Sequence, residues 1–68
     1  MNKEQIKQMI VEEIKFMDDE IKDGLYDIWL EPTTNTIRFE ESGLDYQGDD
    51  KEAYEVAQIE NQEIINWK

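Results

Sequence analysis

The stretch DDKEAYEVAQIENQEIINW, residues 49–67, decides the fold, because it satisfies two incompatible periodicities at once. Read as a helix, Asp49 and Asp50 supply a carboxylate cap and Glu52 follows as in a capping box. Ala53, Val56, Ala57, Ile64 and Trp67 then share one face. Read as a hairpin, Tyr54 and Val56 align with Ile65 and Trp67 on one side, Ala57 pairs with Ile64 on the other, and the chain turns at Glu60-Asn61. Either pattern buries Val56 and Trp67. The cap, the two alanines and the lack of a turn glycine predict a C-terminal helix over about 51–66, with a second β-hairpin as the alternative.

Upstream of this stretch the signals are simpler. Gly43 and Gly48 flank Leu44-Asp45-Tyr46, a pattern for an acidic loop or a short third strand near 44–46. Before it, Tyr26, Ile28 and Leu30 alternate with Leu25, Asp27 and Trp29, and Ile37 and Phe39 alternate with Thr36, Arg38 and Glu40. Pro32-Thr33-Thr34-Asn35 between the two runs has the composition of a turn, with Pro pre-set for it and Asn tolerant of the left-handed region. A four-residue loop there pairs Leu30 with Ile37 and Ile28 with Phe39, so one hairpin over 25–40 gathers its apolar residues on one face. Trp29 then lies across from Arg38, which predicts a cation–π pair; an exposed aromatic-plus-Arg anchor for a partner is the alternative.

From Asn2 to Lys22, Ile6, Ile10, Ile14, Met17 and Ile21 recur at helical steps and occupy an arc of roughly 80°. Val11 widens this apolar side on one flank, and Met9 and Phe16 widen it on the other. Gly24 is a candidate stop. The expected fold is therefore α+β and a single domain, 1–68: an amphipathic helix on a small antiparallel sheet, followed by the C-terminal helix.

Composition excludes much chemistry. The 68 residues carry 18 Asp+Glu against 7 Lys+Arg, a net charge of -11, with no Cys and no His. Thiol nucleophiles, disulfides, thiolate metal sites and the commonest general base are gone together. Ser42 has no histidine to activate it, and the three glycines form no phosphate loop. A calcium loop starting at Asp45 fails at its sixth position, Asp50, and at its twelfth, Val56. A carboxylate-only hydrolase needs a cleft that so short a chain has little core to build. No catalytic residue, metal or cofactor is expected. The charged start and the lack of an apolar run of roughly 20 residues point to a cytoplasmic chain with no membrane contact.

The acids are unevenly placed. Residues 1–24 hold seven acids and four lysines, whereas residues 40–63 hold nine acids and a single base, Lys51. Such a field repels nucleic acid and attracts the Lys/Arg surfaces that grip it. In charge and size the chain resembles the small acidic inhibitors that phages and mobile elements direct against DNA-binding proteins, a resemblance of composition that covers no motif. The expected partner is a basic, nucleic-acid-binding protein surface, with no direct contact to nucleic acid. Glu40, Glu41, Asp45, Asp49, Asp50, Glu52 and Glu55 are the candidate phosphate surrogates, and Trp29 and Tyr46 the candidate apolar anchors. The alternative is a homodimer through the Met9 and Phe16 flank of the N-terminal helix, acidic only for solubility.

Overall fold

The computed structural model describes residues 2–68 and contains one helix and one four-stranded sheet. Helix α1 spans Lys3–Ile14, and strands β1 to β4 span Leu25–Glu31, Thr36–Glu41, Tyr54–Glu60 and Glu63–Trp67. The sheet is antiparallel throughout, in the order β2-β1-β3-β4. The α+β class and the N-terminal helix are as the sequence predicts. The C-terminal helix is not; residues 54–67 form the alternative hairpin. No strand forms at 44–46, which belong to a loop.

The capping signal at Asp49-Asp50 is real but serves another purpose. Asp50 Oδ1 accepts the Glu52 amide at 2.9 Å, and the Ala53 amide reaches the Asp50 carbonyl at 3.2 Å. Those bonds close a turn that delivers the chain into β3, where pairing with β1 takes over from further helical turns. The β3–β4 turn is Asn61-Gln62, one residue later than the sequence suggests. Both residues have positive φ, 51° and 70°, the pattern of a type I′ hairpin turn. A register shift between Gln58 and Ile59 leaves Ile65 as an extra residue on β4, so Ala57 pairs with Trp67 and Ile59 with Ile64. A second shift, between Ile28 and Trp29, sets both Val56 and Ala57 against Ile28. That bulge is why two successive residues, Val56 and Ala57, are both buried, which plain alternation forbids.

The β1–β2 hairpin has the predicted register, with Ile28 against Phe39, Trp29 against Arg38 and Leu30 against Ile37. Its loop closes through the Thr34 amide to the Glu31 carbonyl at 3.3 Å, and Asn35 takes φ 59°.

Helix α1 begins at a full capping box: Asn2 Oδ1 accepts the Gln5 amide, and Gln5 Oε1 accepts the Asn2 amide, both at 2.9 Å. It stops at Ile14 rather than continuing to Lys22. A helix of 21 residues would run about 31 Å, against about 23 Å for a seven-residue strand, so its end would overhang the sheet. The acids at Asp18, Asp19 and Glu20 also sit badly at the negative end of a helix dipole. The chain instead tightens through Phe16 and Met17, whose amides bond to the carbonyls three residues back, and turns again at Asp18. Tyr26 donates its hydroxyl to the Ile21 carbonyl, and Gln62 Nε2 donates to Asp23 at 2.7 Å, so the last part of this connector is tied to the strands.

The core lies between α1 and the inner face of the sheet. Ile6, Ile10, Ile28, Leu30, Val56, Ala57 and Ile59 are buried there, with Ile14, Tyr26, Ile37, Phe39, Ile64 and Trp67 packed around them. Among the described residues no helix is long and apolar enough to cross a membrane.

Candidate functional site

The connection from β2 to β3 creates the site. The end of β2 lies beside the start of β1, because Glu41 pairs with Tyr26, whereas the start of β3 lies beside the end of β1, because Tyr54 pairs with Leu30. Residues 42–53 must therefore travel the length of β1, and they do so across the outer face of the sheet. Trp29, Arg38 and Glu40 lie beneath them, which explains why these side chains are half-buried or buried although they alternate away from the core.

The crossing segment is fastened at several points. At its start the Ser42 amide bonds to the Leu25 carbonyl at 3.2 Å, and Gly43 takes φ 94°, which only glycine adopts without strain. In the middle, the Tyr46 ring stacks on Trp29, and its hydroxyl donates to the Glu31 carboxylate. The same hydroxyl accepts the Asp50 amide at 3.1 Å. Burial first, and then the bond to Glu31, push the Tyr46 phenol above its ordinary pKa. The Gln47 amide donates to the Glu40 carboxylate. At the far end Asp50 accepts the Thr33 amide at 3.0 Å and the Thr33 hydroxyl at 3.1 Å. The Glu52 amide foremost, with the Thr33 donors, holds Asp50 below the usual carboxylate range. Gly48 passes so close beneath Tyr46 that a Cβ there would collide with the phenol and with Glu31.

These contacts divide the candidate residues into two sets. Glu40 is buried, bonded to Gln47 and in charge contact with Arg38 Nε at 3.3 Å. Asp50 is engaged by Thr33 and Glu52, and Glu55 is half-buried with Lys68 Nζ at 3.4 Å. Trp29 and Tyr46 face each other under the crossing segment. Glu41, Asp45, Asp49 and Glu52 are exposed, with no basic side chain paired to them among the described residues.

Trp29 and Arg38 are neighbours in register, but the ring partner of Trp29 is Tyr46 and the charge contact of Arg38 is Glu40, so the expected cation–π pair is not made. Trp29 Nε1 and Arg38 Nε are buried without hydrogen-bond acceptors. A cation that does lie over an aromatic ring is Lys3, 5.5 Å from the Trp67 centroid.

Sequence reasoning missed Glu31, Thr33, Gln47 and Gly48. The hydrogen-bond partners of Glu31, Thr33 and Gln47 lie between 7 and 17 residues away, and Gly48 is confined by Tyr46 and Glu31 together, in contacts that no local pattern encodes. The one local signal was the carboxylate of Asp50 two residues before the amide it accepts.

Between the β1–β2 turn and the end of the crossing segment lies an open cleft of about 640 Å³, lined by Glu31, Thr33, Thr34, Arg38 and residues 47–52. Among the described residues, no three His, Cys, Asp or Glu side chains converge in the manner of a metal site. Another acidic locus is the β3–β4 turn, where Glu60 and Glu63 are exposed and directly paired. Like charges opposite each other cost stability, so this pair is not explained by folding. Comparison with protein-family models, with curated proteins and with solved structures finds no match for this chain.

Proposed function

We propose that this protein is a non-enzymatic acidic binding protein, an inhibitor that docks on a basic, nucleic-acid-binding surface of a partner protein. The observation that carries the reading is the fastening of the acidic crossing segment: Tyr46 to Glu31 and Trp29, Gln47 to Glu40, and Asp50 to Thr33.

A loop acidic only for solubility needs no fixed shape. A phosphate surrogate does, because carboxylates carried on a backbone already held in place lose less conformational freedom when they meet a Lys/Arg groove. In this reading Glu41, Asp45, Asp49 and Glu52 contact the partner, and Glu40, Asp50 and Glu55 set the geometry with Trp29 and Tyr46 behind them. The partner's cations are neutralised by carboxylates instead of phosphates, and nucleic acid is displaced by competition.

The test is affinity capture with wild type and with the quadruple variant E41Q/D45N/D49N/E52Q. Wild type should retain a nucleic-acid-binding protein at about 50 mM salt and release it at about 0.5 M salt, because the contact is electrostatic. Added DNA should compete, and the quadruple variant should retain little. Capture that ignores salt, or that the quadruple variant preserves, would sink the proposal.

A further inference from the structure

The sheet is wider than the helix that covers it. Four strands at about 4.8 Å span roughly 19 Å, whereas one helix with its side chains is about 10 Å across. Grooves therefore flank α1. The one toward β2, lined by Met9 and Ile37 among others, is about 240 Å³. The one toward β4 is about 460 Å³, with Ile10, Ile14, Ile64 and Trp67 lining it, Val11 and Lys7 on its helix wall and Glu63 on its strand wall.

Three features of the β4 groove point to its occupant. Val11 is 42 % exposed although it borders the apolar lining. Lys7 and Glu63 form no ion pair among the described residues, in a molecule where acids far outnumber bases. The helix wall of the groove belongs to the part of the chain nearest to charge balance, so it offers the acidic strand wall of a second copy, with Glu63, less repulsion than the crossing segment would.

We infer that this groove is a homodimer interface. A two-fold axis sets the helix wall of each copy against the strand wall of the other, so that Val11 enters the partner groove and Lys7 meets Glu63 of the second copy. A cyclic dimer of this kind is closed and self-complementary. Pairing through the exposed edge of β4 is the competing arrangement, and the bulge at Ile65 opposes it. Ile64 pairs with Ile59 on the inner face and Asn66 with Gln58 on the outer face, so an antiparallel partner strand finds no consistent register. The interface leaves the crossing segment free, and the inference stands apart from the function proposed above.

Sedimentation equilibrium on the full chain tests it, with circular dichroism as the check that each variant folds. Wild type should dimerise reversibly with concentration. Val11→Glu should weaken the dimer at least tenfold, Lys7→Glu should weaken it severalfold, and K7E/E63K should restore it. Phe16→Glu, beyond the end of α1 and outside the groove, should leave it unchanged. A wild-type chain that stays monomeric to about 1 mM overturns the inference and leaves the groove to a partner of another kind. A dimer that survives Val11→Glu, is lost in Phe16→Glu, or is not recovered by the charge swap overturns it as well.

Discussion

The ring of Tyr46 lies against that of Trp29, with centroids 5.2 Å apart and planes tilted by 35°. This contact joins a residue of the crossing segment to one on the central strand β1, and it turns the outer face of the sheet into a second, mixed aromatic and polar layer. Removing the ring and removing the hydroxyl should therefore have separable effects. Tyr46→Phe keeps the stack and loses the bond to Glu31, at a cost of about 0.5–1.5 kcal/mol. Tyr46→Ala loses both, at about 2–3 kcal/mol, and exposes Trp29. Urea unfolding gives the two costs. A red shift of tryptophan emission in the alanine variant but not in the phenylalanine variant checks the assignment.

Stability should fall at both ends of the pH scale through the same segment. Asp50 has a folded pKa below its ordinary value, so the unfolded chain takes up its proton first. Its contribution is complete above the unfolded pKa of about 3.9 and is lost as pH falls through the lower folded value. Tyr46 is raised above 10.0, so its contribution is complete below about pH 10 and is lost as pH rises through the folded value. Urea midpoints across pH should show an acid-side slope that flattens in Asp50→Asn and an alkaline-side slope that flattens in Tyr46→Phe. Unchanged slopes in the variants would contradict these two linkages.

Gln62 adopts φ 70° in the β3–β4 turn, where a glycine has no steric penalty. Gln62→Gly creates the Asn-Gly pair favoured in type I′ turns and gives up an exposed hydrogen bond to Asp23. The turn term should win, raising stability by about 0.5 kcal/mol. Thermal unfolding measures the change, and a lower Tm would mean that the tie to Asp23 matters more than the turn.

Ile28 is fully buried at the centre of β1, bonded through its strand to both β2 and β3. Ile28→Val should cost about 0.5–1.5 kcal/mol and Ile28→Ala about 2–5 kcal/mol. In a domain this small the alanine variant should be largely unfolded by circular dichroism, while the valine variant keeps a native spectrum.

The two hairpins show why one was legible and the other ambiguous. In β1–β2 the alternation, the proline and the four-residue loop all agree, and every pairing partner lies within 16 residues, so the register follows from local pattern alone. In β3–β4 the local signals conflict. The turn residues are Asn-Gln rather than Asn-Gly, Val56 and Ala57 are adjacent and both buried, and Asp50 offers a cap. The candidate site divides the same way: the acidic run from Glu40 to Glu63 is plain in the sequence, but which carboxylates fasten the segment and which stay free is not.

By itself the sequence determined the N-terminal amphipathic helix, the first hairpin with its register, the crowding of acids after Glu40 and the absence of thiol and imidazole chemistry. Each of these depends on residue type or on neighbours a few positions apart. Tertiary structure alone decided that residues 54–67 are strands, that α1 ends at Ile14, and that Glu40, Asp50 and Glu55 are engaged while Glu41, Asp45, Asp49 and Glu52 remain free. The physical reason is the second edge of β1. Its unpaired amides and carbonyls need a partner that β2 cannot supply, and β3 provides one only by crossing the sheet, with its bulge at Val56 and its acidic connection laid over Trp29.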